Sequence, residues 1–269
     1  MPKALYEKRD RIAYITFNRP EAKNAIDPEL HQLLREAWED FAADDALDVA
    51  ILTGAGDAFS AGADLKTFIP ALMDPPMTPA QVRANVENGL GGLTRGLHRI
   101  YKPVIAAVNG WALAGGLETA LACDIRIASE RAMFGSFEAR RGYHHGDGGI
   151  VRLVNICGAG VALEMLLTAE PIDAQRALQC NMVARVVPHD ELMAEAEKTA
   201  QQILRNSQLA VRSAKETILD VIGRPLDDQL KTEALNAYAT ADPEETLALL
   251  GRFYDKTDRG RAGENTTPL

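Results

Sequence analysis

The sequence lacks several features that would place it in a special class of protein. It has only three cysteines, Cys123, Cys157 and Cys180, among 269 residues, and none of them forms a CxxC pair. An odd number of cysteines favours reduced thiols in a cytoplasmic protein over a disulfide framework. No apolar run approaches the ~20 residues of a membrane helix, and the first 17 residues show no apolar segment followed by a cleavage site. We therefore expect neither a membrane partner nor a secretory signal.

An excess of basic residues is also absent. The chain has 29 Lys and Arg against 38 Asp and Glu, which gives a formal net charge of -9 at pH 7. Because nucleic acids attract basic surfaces, this balance argues against general nucleic-acid binding, although it leaves room for one local basic pocket. The cysteines also lack the spacing of common zinc sites, and we expect no bound metal.

What is present is the composition of an ordinary globular domain, 46% hydrophobic and 25% charged. Residues 11–17 and 48–53 predict strands. Asp27-Pro28 predicts the start of a helix. Its apolar face recurs at helical spacing through Leu30, Leu33, Leu34, Ala37, Trp38 and Phe41. Residues 79–100 predict another helix, which four glycines would weaken.

Strands and helices alternate up to about residue 188, and only helices are predicted after that. This order indicates an α/β core followed by a C-terminal helical region.

The most informative stretch covers residues 102–149. It predicts a buried strand, a helix that starts at Gly115-Gly116, a second strand and a glycine-containing loop. Glycines permit close approach of the backbone, and the free N–H groups at a helix start can bind a carbonyl oxygen. Glu118 lies near this helix start, and Glu138 follows in the next segment. Two carboxylates at such a place are what proton transfer on a polarised carbonyl substrate needs.

Several motifs, in order and spacing, resemble the crotonase superfamily, the enoyl-CoA hydratase/isomerase family. The similarity extends from about residue 12 to about residue 187. The motifs are Asn18-Arg-Pro20, Lys23-Asn-Ala25, Phe59-Ser-Ala-Gly-Ala-Asp64, Lys102-Pro-Val-Ile-Ala-Ala-Val-Asn-Gly110, Gly115-Gly-Leu-Glu118, Cys123-Asp124 and Phe134-Gly135.

This resemblance implies an α/β fold, a crotonase-like spiral of ββα units. It implies a core over residues 1–195 that carries a CoA-ester site, and a C-terminal helical region over residues 196–269 that forms a homotrimer or a dimer of trimers. No cofactor is implied, because coenzyme A is carried as part of the substrate.

The resemblance also implies roles for individual residues. The backbone N–H groups of Ala61 and Gly115 would form an oxyanion hole for the thioester oxygen. Glu118 and Glu138 match the two catalytic glutamates of the hydratases, and such neighbouring carboxylates should titrate as a coupled pair. The residues expected to contact CoA are Ala63, Asp64, Leu65 and Lys23.

One loop departs from the family pattern. Relatives usually have Gly-x-x-Pro-x-x-Gly-Gly after the second glutamate, whereas this chain has Gly142-Tyr-His-His-Gly-Asp-Gly-Gly149. His145 stands at the proline position and Asp147 is an additional acid. Both are candidate accessory residues that could shape an acyl pocket or share protons. A polar surface loop with a structural His–Asp contact is the alternative.

The sequence therefore predicts a cytoplasmic enoyl-CoA hydratase of fatty acid metabolism. Such an enzyme adds water reversibly and syn to a 2-enoyl-CoA thioester and gives a 3-hydroxyacyl-CoA. Three alternatives are an enoyl-CoA isomerase, a C–C bond hydrolase of the same superfamily that uses Asp147, and an acyl-CoA-binding protein without turnover.

Overall fold

The computed structural model describes residues 1–254. The strands in this range are β1 (Ala4–Arg9), β2 (Ile12–Phe17), β3 (Val49–Gly54), β4 (Ala58–Ser60), β5 (Val104–Val108), β6 (Trp111–Leu113), β7 (Ile125–Ser129), β8 (Met133–Gly135), β9 (Ile172–Asp173) and β10 (Arg185–Val187). The helices are α1 (Pro28–Ala43), α2 (Phe68–Met73), α3 (Pro79–Asn88), α4 (Gly115–Ala122), α5 (Gly149–Thr168), α6 (Ala174–Gln179), α7 (Leu192–Leu204), α8 (Gln208–Val221), α9 (Leu226–Thr240) and α10 (Pro243–Tyr254). Short 3₁₀ helices cover Pro20–Ala22, Glu138–Arg141 and His189–Glu191.

The strands form two sheets, with the orders β1-β2-β3-β5-β7-β10 and β4-β6-β8-β9. The pairs β1–β2 and β8–β9 are antiparallel, and the other neighbours are parallel. Along the chain, β3, β5 and β7 enter the larger sheet, and each is followed by a strand of the smaller sheet. The predicted spiral of ββα units is confirmed.

Both faces of the larger sheet are covered. Trp38 and Phe41 of α1 belong to the main apolar cluster, whereas Leu192, Ala196 and Ala200 of α7 belong to a second cluster. Strands buried on both faces read as continuous apolar runs rather than alternating ones. All five residues of β5 are buried, which explains its run of Val, Ile and Ala.

The helix predicted over residues 79–100 is shorter than expected, because α3 ends at Asn88. Gly89, Gly91 and Gly92 follow with φ angles of +68°, +66° and +86°. Glycine adopts these left-handed angles readily, so the three residues end the helix instead of only weakening it. The irregular segment that follows forms one wall of the candidate site.

The chain divides into two compact units, the first ending at Arg205 and the second beginning at Asn206. Helix α7 belongs to the first unit, so the expected boundary between residues 195 and 196 lies inside this helix. The described part of the second unit consists of α8, α9 and α10, which enclose a cavity of about 770 Å³. Residues 255–269 of the predicted C-terminal region lie outside the described residues.

One helix of the described chain, α5, is long and apolar enough to cross a membrane by length and composition alone. The helix is interrupted at Gly158, where φ is 80° and ψ is 161°. Its first residue, Gly149, donates its N–H to the buried carboxylate of Glu118. A single helix of this kind is weak support for a membrane, and these contacts tie it to the candidate site.

Candidate active site

A cavity of about 560 Å³ lies in the first unit, at the start of α4. Its wall includes Glu118, Glu138 and Gly115, together with apolar side chains such as Leu65 and Phe68. This volume is in the range of small-molecule sites, which are mostly apolar with a few polar groups. The cavity therefore brings together the three residues predicted for the acid–base pair and for one oxyanion donor.

Helix α4 begins where the backbone packs too closely for larger side chains. A Cβ atom on Gly116 would lie 2.1 Å from the carbonyl oxygen of Ser60, so only glycine fits there. Ala114, which precedes the helix, has a φ of 51° and a ψ of -124°. Gly115 is the first helical residue, and its N–H has no carbonyl partner within the helix. Within residues 1–254 no acceptor receives this N–H, so it can bind an oxygen in the cavity.

The prediction that Ala61 supplies the second oxyanion donor is wrong. The N–H of Ala61 donates to the carbonyl of Lys23 at 2.9 Å, so it is already satisfied. Ala63 is the better candidate, because no acceptor within residues 1–254 receives its N–H. Its nitrogen lies 3.4 Å from a Cβ built on Gly115, and the residue lines the cavity.

A single β-bridge accounts for the unused N–H of Ala63. Ile26 pairs in parallel with Ala63. Ile26 donates to the carbonyl of Gly62, and Asp64 donates to the carbonyl of Ile26. Along such a segment the N–H groups alternate in direction, so the N–H of Ala63 points away from the bridge. The sequence motif does not reveal this alternation, because the partner strand is 37 residues away by residue number.

The two glutamates meet although they are 20 residues apart in the chain. Each is only 3% exposed. Oε1 of Glu118 accepts backbone N–H groups from Asp147 at 2.7 Å and Gly149 at 3.0 Å. The hydroxyl of Ser136 donates to Oε2 of Glu138 at 3.3 Å. These donors orient two carboxylates that would otherwise be costly to bury.

The imidazole of His145 contacts both carboxylates. Its Nδ1 lies 2.7 Å from Oε1 of Glu138 and 3.3 Å from Oε1 of Glu118, and its side chain is fully buried. Burial alone would lower the pKa of His145, but the two carboxylates outweigh burial and raise this pKa to about 9. The ring is therefore a cation at neutral pH. The alternative of a solvated surface loop does not hold for this residue.

The same three side chains have the donor types of a metal site, and their ligand atoms lie within 4.8 Å of one another. The absence of a metal stays a prediction, and the same side chains can also carry out proton chemistry.

Asp147 lies in the same loop and lines the cavity, but its recorded contacts are with the segment after α3 rather than with the two glutamates. Oδ1 accepts the N–H of Leu90 at 2.8 Å and the hydroxyl of Thr94 at 3.1 Å, and it lies 3.4 Å from a guanidinium nitrogen of Arg95. These contacts fasten the loop to the segment after α3. They favour a positioning role for Asp147 over the role of a catalytic acid.

The residues expected to contact CoA fall into two groups. Ala63 and Leu65 line the cavity. Asp64 is buried instead, where its carboxylate accepts the N–H of Lys66 and pairs with Arg19 at 3.0 Å. Lys23 forms an ion pair with Asp57 and is not part of the cavity wall. The side chains of Asp64 and Lys23 therefore stabilise turns around the site.

Comparison with known proteins places this geometry in context. A family model described as enoyl-CoA hydratase/isomerase matches residues 7–259. A crotonyl-CoA hydratase from Syntrophomonas wolfei is 37% identical over 90% of this chain and 92% of its own length. An (E)-benzylidenesuccinyl-CoA hydratase from Thauera aromatica is 38% identical over 84% of both chains. The crystal structure of an enoyl-CoA hydratase from Bacillus anthracis has a TM-score of 0.81 and 32% identity, covering 99% of this chain and 98% of its own.

Proposed function

Because this chain belongs to the enoyl-CoA hydratase/isomerase family, we propose that its cavity binds a 2-enoyl-CoA thioester and adds water across the Cα=Cβ bond. The chain is an enoyl-CoA hydratase, a hydro-lyase whose product is a 3-hydroxyacyl-CoA. One observation carries the assignment of the site. Two buried carboxylates and two free backbone N–H groups converge on one cavity.

The thioester oxygen would accept hydrogen bonds from the N–H groups of Ala63 and Gly115. When water attacks Cβ, negative charge develops on this oxygen as an enolate forms. Donors already aimed at that oxygen stabilise the charge, as does the positive N-terminal end of α4. Loss of one such donor costs about 3–4 kcal/mol of transition-state stabilisation in a comparable oxyanion hole.

The two glutamates would handle the water. One carboxylate takes a proton from water as the oxygen adds to Cβ, and the other helps to deliver that same proton to Cα, so that both carboxylates return to their starting state. Both line the cavity, and a carboxylate oxygen of one lies within 4.8 Å of a carboxylate oxygen of the other, so they can act on one water and on one face of the double bond, as syn addition requires.

The wider setting follows from the family. We propose that the substrate is an acyl-CoA of lipid metabolism, that coenzyme A enters only as part of that substrate, and that the enzyme works in the cytoplasm as a homotrimer or a dimer of trimers. The relatives named for crotonyl-CoA and for benzylidenesuccinyl-CoA differ widely in acyl size. Short, long, branched and ring-bearing enoyl-CoAs are therefore the substrates to compare.

The test is turnover of crotonyl-CoA by Glu118→Gln and Glu138→Gln proteins. We expect each substitution to lower kcat by at least about 100-fold, the lower end of what general acid–base catalysis contributes. Glu130→Gln changes an exposed glutamate and serves as the matched control. Near-normal kcat in either site variant would refute the assignment of that glutamate. Product mass separates the alternatives: a gain of water indicates hydration, no change indicates isomerisation, and chain cleavage indicates hydrolysis.

A further inference from the structure

His145 lies behind the two glutamates as seen from the cavity. Glu118 and Glu138 line the cavity, and so do His144 and Gly146 on either side of His145. His145 itself is not part of the wall, and its side chain has no exposed surface. The ring is therefore placed to act on both carboxylates without contacting substrate.

The position of the ring is fixed by close packing. A Cβ atom on Gly149 would lie 2.6 Å from two atoms of the His145 ring and 3.0 Å from Cγ of Glu118. Glycine at this position allows the ring, the carboxylate and the start of α5 to meet. The N–H of Gly149 also donates to the Glu118 oxygen that faces the ring. The loop thus places the His145 ring next to the N–H group that donates to Glu118.

We propose that His145 is a positioning residue of the hydration reaction: as an imidazolium behind Glu118 and Glu138, it offsets the repulsion between the two carboxylates and holds them side by side. This inference rests on the proposed function. It assigns a role to a residue that stands where related enzymes usually have a proline, which cannot carry charge. It also implies that the ring sets the upper end of the pH range over which the site works.

Other charged groups around the site do not replace this cation. Arg152 of α5 donates to the carbonyls of Asp147 and Thr94. Arg95 faces Asp147 and the carbonyl of Gly146. Arg141 and Tyr143 line the cavity, and burial followed by the charge of Glu138 raises the pKa of Tyr143. The remaining neighbour, His144, directs Nδ1 to the carbonyl of His145.

Among the described residues, His145 is thus the cation in ion-pair contact with the two glutamates. Two carboxylates this close repel each other when no cation separates them. The imidazolium contacts both of them and offsets this repulsion. Loss of its proton at high pH would leave two uncompensated negative charges and a misaligned pair.

The experiment is the pH profile of kcat/KM for crotonyl-CoA, from about pH 5 to about pH 11, in the wild-type protein and in His145→Gln. Glutamine keeps a polar side chain but cannot carry the positive charge. We expect the basic limb to be lost and kcat/KM at neutral pH to fall to the level that wild type reaches above that limb, because glutamine carries no charge at any pH. His189→Gln, which changes a histidine that contacts Ser129, is the matched control and should leave the limb in place.

Three results would overturn the proposal. The first is a His145→Gln profile whose limbs stay in place while activity is only scaled down. The second is a basic limb that disappears in Tyr143→Phe, which would assign it to the tyrosine. The third is loss of wild-type activity on treatment with a chelator, which would indicate that the three side chains hold a metal.

A fourth measurement does not depend on turnover or on a folded variant. The ring of His145 can be titrated by NMR in the wild-type protein. A midpoint near 9 supports the proposal, and a midpoint at or below the ordinary 6.5 refutes it. If Glu118→Gln and Glu138→Gln remain active while the titration midpoint is near 9, the catalytic assignment fails but the charged cluster stands.

Discussion

Nδ1 of His145 lies 2.7 Å from Oε1 of Glu138, in a contact from which solvent is excluded. The same nitrogen is 3.3 Å from Oε1 of Glu118, so one ring joins a residue of α4 to a residue of the following 3₁₀ helix. A short contact between opposite charges in a buried place is strong only if both charges are retained. Stability and activity should therefore respond to pH together.

The first prediction concerns stability. The pKa of His145 is raised from 6.5 to about 9 in the folded protein. A raised pKa contributes stability that is fully present below the unfolded value of 6.5 and is lost as pH rises through 9. The shift corresponds to at most about 3 kcal/mol. Urea unfolding at several pH values should show that the advantage of wild type over His145→Gln shrinks between pH 6.5 and 9.

The control for that series is again His189→Gln. Its difference from wild type should stay constant across the same pH range. A wild-type advantage that grows with pH would contradict the assignment of positive charge to His145.

The second prediction tests the packing of Gly149. Gly149→Ala places a Cβ 2.6 Å from the His145 ring, so the ring or the start of α5 must shift. We expect a destabilisation of about 1–3 kcal/mol, as for overpacked cores, and a fall in kcat, because the N–H that orients Glu118 moves as well. Thermal unfolding and crotonyl-CoA turnover measure the two effects.

Gly160→Ala is the matched control, because it lies in the same helix and a Cβ there meets nothing within 4 Å. It should leave kcat unchanged and alter stability by no more than about 1 kcal/mol, in the favourable direction, as alanine is the better helix former. Equal behaviour of the two variants would refute the close packing around His145.

The third prediction separates Ala63 from Ala61 as an oxyanion donor. Replacing the backbone amide by an ester removes one N–H and keeps the side chain. An ester at Ala63 should lower kcat by about 10²–10³-fold, as for loss of one oxyanion donor. An ester at Ala61 removes the hydrogen bond to Lys23 and should cost about 1 kcal/mol of stability with little change in kcat. The opposite pattern would restore the assignment made from the motif alone.

The contrast between these two alanines shows where sequence reasoning succeeds and where it stops. The motif located the right turn, and the glycine pair located the start of α4 and the position of Glu118. Neither could identify the free N–H, because the bridge to Ile26 decides which groups are satisfied. The contacts of the His145 ring could not be predicted either, because its two partners belong to separate segments that only the fold brings together.

The same limit explains the helix that was predicted to extend to residue 100. Glycines are weak helix formers, and the sequence predicts only that they weaken this helix. Their left-handed angles also turn the chain so that Leu90 and Thr94 reach Asp147. The glycines that weaken the helix are therefore needed to form the site. This need can be recognised only when the position of the loop that carries Asp147 is known.

The last prediction asks whether Asp147 positions the loop or takes part in chemistry. Asp147→Asn keeps an oxygen that can accept from the Leu90 N–H and the Thr94 hydroxyl, and it loses only the charge that faces Arg95. We expect it to retain most of the hydratase activity, because a partly exposed ion pair contributes at most about 1 kcal/mol. Asp147→Ala leaves the Leu90 N–H without its acceptor, while the Thr94 hydroxyl can still donate to the carbonyl of Leu90, and it should cost about 1–3 kcal/mol of stability. Turnover and urea unfolding of both variants distinguish a positioning role from a catalytic one. A large loss of kcat in Asp147→Asn with unchanged stability would identify Asp147 as a catalytic acid. That result would favour the hydrolase alternative.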